Sequence, residues 1–219
     1  MKRTNLIRLA GLAAMVGGCL YAGQGLLVPP LLRLLVPRDA VQMDPALIEG
    51  DVPPEGIIPG ERLIGHINTA FFVLLILSVM TLIVAVHALQ VESYGPGAVE
   101  RIGLGVLTVL PSTVGMALFL VGYLRDIGGP PNRILSDFPP AAQYLVLSGT
   151  VVATVGLSFL VCMTLVVREL PWWAGLAMIA GNPFIVLFLG PLVGVPWALV
   201  GYAVFRAAAH PSEQPRRVR

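Results

Sequence analysis

The sequence has few charged residues, only two cysteines and no common catalytic motif. Charged side chains make up 12% of the 219 residues, against roughly a quarter in an ordinary soluble domain. So few charges cannot cover a soluble globule of this size, which excludes that class of protein. Hydrophobic residues make up 56% of the chain, and the formal net charge of +2 is too small to indicate a nucleic-acid partner. The composition therefore predicts a multi-pass membrane protein whose main surroundings are the lipid bilayer.

The cysteine and histidine positions indicate no metal or redox site. Cys19 and Cys162 fall in separate apolar segments and form no Cys-x-x-Cys or Cys/His pattern. His66 and His87 would lie about 31 Å apart along one helix, too far to ligate one haem or metal ion. The sequence also lacks HExxH, GxSxG and Walker motifs, so it predicts no catalytic residue, metal or cofactor. The basic start that ends at Cys19 resembles a lipoprotein signal, but the apolar run that follows favours an uncleaved span.

Long apolar segments predict six transmembrane helices, because a bilayer core of about 30 Å requires roughly 20 apolar residues. The last apolar segment, 171–205, is too long for a single crossing, and Gly190 and Pro191 interrupt it. We therefore expect a tight hairpin of two short spans, 172–189 and 192–205. The four segments before it are 6–36, 63–90, 102–124 and 141–167.

The charge distribution predicts the orientation of these spans. Basic residues collect at both termini, whereas the loop 37–62 is rich in acidic residues. Cytoplasmic flanks collect Lys and Arg, so we expect both termini to be cytoplasmic and the loop to lie outside the cytoplasmic (inner) membrane. The prediction is an all-α bundle, a single domain over 1–210, with a basic tail over 211–219. Five prolines in the loop favour an extended, weakly ordered segment.

Small residues at four-residue spacing predict where helices approach closely. Lipid removes most of the hydrophobic force between helices, so small residues that let backbones come together favour association. We expect the small residues of the last span to pack that helix against the fifth span. The predicted packing residues are Ala14 and Gly18 in the first span and Gly190, Gly194 and Ala198 in the sixth.

Polar residues at the outer ends of the spans predict the best place for a ligand site. They would surround a mouth beneath the loop 37–62, although arginines also commonly extend to the membrane surface from such positions. Asn182 is different, because it lies about ten residues into the fifth span and precedes Pro183. Both a helix kink and a binding element at mid-membrane are compatible with that pair. The candidate ligand-binding residues are Arg33, His66, Asn68, Arg125, Asp126 and Asn182.

The layout resembles that of small bacterial multi-pass inner-membrane proteins of unknown function. The resemblance spans most of the chain and implies no catalytic residue. The strings that carry it are the starting RLAGLAAMVGG, an acidic proline-rich first outer loop, RELPWWAGLAMIAG, and the closing WALVGYAVFR.

Three functions are compatible with these patterns. We expect a non-enzymatic scaffold or accessory subunit that binds a membrane-protein partner or a second copy of itself, because the predicted spans carry little charge and many small residues. The alternative is a carrier of a small apolar or weakly polar molecule. It is indicated by a row of hydroxyl and thiol groups at four-residue spacing in the fourth span, and by Asn182–Pro183. An intramembrane enzyme is the third possibility.

Overall fold

All regular secondary structure in the described part of the chain is helical, which confirms the predicted all-α class. The computed structural model describes residues 3–24, 26–27, 59–95, 97–125, 139–168, 170–182 and 190–209. A short 3-10 turn, Gly190–Val193, precedes the last helix. The helices are α1 (Arg3–Ala22), α2 (Pro59–Tyr94), α3 (Ala98–Leu124), α4 (Pro140–Val167), α5 (Trp172–Ala180) and α6 (Gly194–Ala209).

Four of these helices are long and apolar enough to cross a membrane. The longest, α2, has 36 residues and is therefore about 54 Å long, which exceeds the thickness of a bilayer core. The predicted first span extended to residue 36, whereas α1 ends at Ala22 and residues 28–58, with most of the predicted outer loop, lie outside the described residues. The segments able to cross are Thr4–Ala22, His66–Glu92, Val99–Leu124 and Pro140–Val167.

The predicted fifth span, 172–189, does not begin as the long helix that we expected. Helix α5 ends at Ala180 after nine residues. Gly181 caps it by donating its N–H to the carbonyl oxygen four residues earlier, at 2.8 Å. Asn182 then precedes Pro183, and the residue before a proline avoids the α conformation. Asn182, where the sequence allowed a kink or a binding element, therefore follows a helix end, and residues 183–189 of this predicted span lie outside the described residues.

The bundle consists of two tight antiparallel helix pairs with α2 between them. Helix α1 packs along α6, α3 packs along α4, and α2 contacts both α1 and α3. Gly11 lies beside Gly201 and Gly18 beside Gly194, so α1 and α6 run in opposite directions. We call the end where α1 begins and α6 finishes the terminal end. The opposite end, where α1 finishes and α2 begins, is the loop end.

Glycines seven residues apart allow the backbones of each pair to touch. A Cβ atom added at Gly11 would lie 2.8 Å from the carbonyl oxygen of Gly201. In the other pair, a Cβ atom added at Gly115 would lie 2.7 Å from the carbonyl oxygen of Gly149. Close backbone packing of this kind favours helix association in lipid, where burial of apolar surface contributes little. The repeated glycines are Gly11 and Gly18 in α1, Gly115 and Gly122 in α3, Gly149 and Gly156 in α4, and Gly194 and Gly201 in α6.

The predicted packing residues of the last span contact a different helix from the one expected. We expected Gly194 and Ala198 to face the fifth span, but both lie against Gly18 of α1. Ala14 of α1 is completely buried and lies beside the same helix, α6. Gly190 belongs to the 3-10 turn that leads into α6. The small residues of α1 and α6 therefore face each other.

The outer faces of the long helices are apolar, as contact with lipid requires. On α3, Ile102, Val106 and Leu110 are 69%, 52% and 54% exposed. The buried centre of the bundle is formed mainly by α2, whose inward side chains include Leu75, Val79, Leu82 and Ile83.

Candidate functional site

The structure describes three of the candidate residues predicted to surround the mouth, His66, Asn68 and Arg125, and it also describes Asn182. His66 and Arg125 are exposed, and Asn68 is partly buried. Asn182 lies far from them, because its side-chain amide is hydrogen-bonded to Thr154 Oγ1, with 2.8 Å between the two atoms. Thr154 is fourteen residues into α4 and so about 21 Å from the loop end, too far for one small ligand to contact both regions. Outside the described residues lie Arg33 and Asp126.

Aromatic rings hold three helices together at the loop end. Phe72 of α2 packs against Tyr21 of α1, with ring centres 5.6 Å apart, and against Tyr123 of α3 at 4.5 Å. It also packs against Phe119, at 5.8 Å. The hydroxyl groups of Tyr123 and Thr69 share a hydrogen bond. This cluster is apolar at its centre, with hydroxyl groups around it.

Two amide oxygens near the aromatic cluster lack a hydrogen-bond partner. They are Oε1 of Gln24 and Oδ1 of Asn68, and both atoms are buried. Asn68 is four residues before Phe72, a spacing that puts its amide on the same face of α2 as the ring, and Gln24 follows the end of α1, three residues after Tyr21. An unsatisfied buried acceptor costs about 1–3 kcal/mol. An N–H or O–H group of a bound molecule would remove that cost.

The end of α5 is held by side chains from two other helices. The indole Nε1 of Trp197, in α6, donates to the carbonyl oxygen of Gly181 at 2.8 Å. Thr154, in α4, binds the side chain of the next residue, Asn182. A backbone that leaves a helix inside a membrane needs such partners, because lipid offers none. This role of Asn182 is structural.

Gln90 forms a buried hydrogen-bond network near the terminal end. It is 2% exposed, and its Nε2 donates to Thr164 Oγ1 at 2.8 Å and to the carbonyl oxygen of Leu160 at 3.2 Å. A carbonyl oxygen can only accept, so the amide nitrogen must be the atom that faces α4. The amide oxygen of Gln90 therefore points elsewhere, and it is buried without a partner.

His87, one helical turn before Gln90, faces α3. Its Nδ1 lies 3.2 Å from Thr108 Oγ1. Thr108 uses its only hydroxyl proton to donate to the carbonyl oxygen of Leu104, at 2.6 Å. Nδ1 of His87 must therefore carry the proton that it shares with Thr108. In the neutral ring this leaves Nε2 as an unprotonated hydrogen-bond acceptor.

The sequence patterns did not identify this region as a candidate site. The sequence feature that could have identified it is a histidine and a glutamine one helical turn apart within a long apolar run. Threonines lie at matching depth in two neighbouring spans. Among the described residues, no three His, Cys, Asp or Glu side chains lie close enough together to hold a metal ion. Both cysteines are exposed on the helix surfaces as free thiols. No protein-family model, curated protein or solved structure matches this chain.

Proposed function

We propose that this chain is a multi-pass component of the cytoplasmic membrane and acts as a non-enzymatic scaffold or accessory subunit of a membrane complex. The observation that carries the proposal is how the buried hydroxyl groups are used. Each buried serine or threonine hydroxyl of the described residues donates to a carbonyl oxygen of its own helix at 2.6–2.9 Å, an arrangement that stabilises the side chain without offering a reactive group. The hydroxyls concerned are those of Ser78, Thr108, Ser112, Thr150 and Thr164.

The proposal includes six crossings and cytoplasmic termini. What supports it is that the start of α1 and the end of α6 lie at the same end of the bundle, as an even number of crossings requires. The guanidinium carbon of Arg8 lies 5.6 Å from the ring centre of Phe205. Arg206 follows in the last turn of α6. Positive charge collected at one end is typical of the cytoplasmic side.

Purification from native membranes in mild detergent tests the scaffold role. A second membrane protein, or a second copy of the chain, should stay bound in a fixed ratio through two affinity steps. Tryptophan substitutions along the exposed face of α3, at Ile102, Val106 and Leu110, should leave the bundle folded and remove the partner if that face binds it. Parallel substitutions at Leu147, Val151 and Val155, exposed on α4, test the other large apolar face. A monomeric chain that retains no protein under these conditions would contradict the proposal.

A second candidate function is a carrier or binding protein for a weakly polar molecule. The specific observation that favours it is the pair of unpartnered amide oxygens, Gln24 Oε1 and Asn68 Oδ1, beside the aromatic cluster. Mass spectrometry of the purified protein would then detect a retained small molecule with an N–H or O–H group. Asn68→Leu should release it, whereas Leu77→Ala, at a position 49% exposed further along the same helix, should retain it.

A further inference from the structure

We propose that the groove between α2 and α3 near the terminal end binds a neutral, membrane-dissolved amphiphile that carries a hydroxyl group. The hydroxyl group donates a hydrogen bond to Nε2 of His87. This groove lies at the opposite end of α2 from Asn68 and involves neither unpartnered oxygen of the loop end. The inference is therefore independent of the carrier function proposed above, although the groove shares Ile102, Val106 and Leu110 with the α3 face tested as a partner surface.

The groove is open to the membrane and apolar on nearly all sides. Its volume is about 380 Å³, which is large enough for part of an alkyl chain together with a small head group. Gly105 keeps it open above the imidazole, because a Cβ atom added there would lie 3.6 Å from His87 Nε2. The lining comes from Val84 and His87 of α2 and from Ile102, Gly105, Val106 and Val109 of α3.

His87 Nε2 is the polar atom of this groove that is ready to accept a proton donor. Its Nδ1 is occupied by Thr108, which fixes the tautomer. The other polar side chain on the groove wall, Thr113, donates its hydroxyl proton to the carbonyl oxygen of Val109 at 2.7 Å. A ligand that satisfies Nε2 must bring an N–H or O–H group.

The depth of the groove favours a neutral hydroxyl over an ionic head group. His87 is five residues nearer the middle of α2 than Glu92, and Gly105 is four residues nearer the middle of α3 than Arg101. Along a helix these separations place the imidazole about 6–8 Å below the charged residues. A carboxylate or phosphodiester at that depth would be poorly solvated and would offer Nε2 no proton. An alcohol would donate to Nε2 while its alkyl chain lies along Val84 and Val109 towards the membrane centre.

Nitrogen NMR of the histidine rings tests this inference directly. The protein is labelled with 15N-histidine, placed in lipid nanodiscs and titrated with 1-dodecanol or with its methyl ether, which has no O–H proton. The Nε2 signal of His87, identified by its loss in His87→Phe, should shift saturably with dodecanol, because a hydrogen bond to this nitrogen forms. The methyl ether should leave the signal unshifted and should bind roughly tenfold more weakly.

Two leucine substitutions on α3 provide the matched pair of variants. Gly105→Leu places a side chain in the groove and should abolish the dodecanol shift. Gly103→Leu is the control, because a Cβ atom there meets no other atom within 4 Å, and it should keep the shift. Equal shifts with the alcohol and the ether, a shift that never saturates, or an unchanged shift in Gly105→Leu would each overturn the proposal. The alcohol and ether comparison uses the unchanged protein, so it stands even if a variant folds poorly.

Discussion

Replacing Gly115 by alanine should destabilise the bundle by forcing α3 away from α4. The added Cβ atom would lie 2.6 Å from the Cα atom of Ala153 and 2.7 Å from the carbonyl oxygen of Gly149. Both neighbours are backbone atoms, so no change of side-chain rotamer can relieve the contact. Overpacking of this kind costs about 1–3 kcal/mol. We expect the upper half of that range, because the whole helix must move.

The intrinsic preference of alanine for helices opposes this loss but is smaller. Alanine is favoured over glycine by about 1 kcal/mol inside a helix, so the net loss of unfolding free energy at Gly115 should be about 1–2 kcal/mol. Gly103 is the matched control on the same helix, because a Cβ atom added there meets nothing within 4 Å. Gly103→Ala should therefore be neutral or stabilising by up to about 1 kcal/mol.

Unfolding of the purified protein in dodecyl maltoside measures both changes. Increasing amounts of sodium dodecyl sulfate unfold the bundle, and the fluorescence of the three tryptophans reports the transition. The two variants should differ by about 1–3 kcal/mol in unfolding free energy, with Gly115→Ala the less stable. If both variants shift the transition equally, the backbones of α3 and α4 do not touch at Gly115, and the argument from the glycine contacts fails.

Three further predictions use the same logic. Gly194→Leu should destabilise the α1–α6 pair strongly in the same assay, whereas Val195→Leu, at a position 46% exposed, should be mild; equal effects would contradict the contact with α1. Gln90→Leu should cost only about 1–2 kcal/mol, because the two bonds that Nε2 donates are lost but their acceptors, Thr164 and the Leu160 carbonyl, keep their bond to each other. Gln90→Glu should be much more destabilising at neutral pH, since it buries a carboxylate. Similar losses of stability in both variants would mean that water reaches the side chain of residue 90. Reporter fusions at residue 219 and within 40–58 should report opposite sides of the membrane, and a periplasmic C-terminus would refute the even number of crossings.

Helix ends that are marked by a charged residue or by a proline could be predicted from the sequence. The end of α5 could not. The predicted third and fourth spans stop at Leu124 and Val167, where α3 and α4 end, because arginine follows each. Helix α5 ends inside an apolar run, where hydropathy carries no signal. The sequence marks Asn182–Pro183 as an irregular point. It could not show that the end of α5 is held there by Thr154 and Trp197, because these two side chains come from other helices.

Spacing could predict which residues pack but not what they pack against. The four-residue spacing of Gly194 and Ala198 predicts that one face of α6 carries small side chains. It does not say whether α1 or α5 covers that face. Sequence spacing also suggests Val193→Leu as a mild control for Gly194→Leu, yet Val193 is completely buried. Such pairings depend on contacts between residues far apart in the chain.

The region around His87 shows why sites are harder to predict than helices. A histidine near the end of an apolar span is usually an interfacial residue, and its type alone indicates nothing more. What distinguishes His87 is that Thr108 has its proton committed to Leu104, which fixes the tautomer and leaves Nε2 free to accept. The opening at Gly105 then gives that nitrogen access to the groove. Both facts require the distance between α2 and α3.

The seven-residue glycine repeat also limits how the bundle can move. If α6 slid along α1 by four residues, about 6 Å, Trp197 or Phe205 would replace Gly201 against Gly11, and the larger side chain would separate the two backbones there. A slide of seven residues, about 10.5 Å along the axis, would again pair a glycine of α1 with a glycine of α6, but it would retain only one of the two contacts. The register of α1 and α6 therefore resists sliding, and we expect these two helices to move as a unit. Rearrangement within the bundle would then change the contacts that this pair makes with α2 and α5.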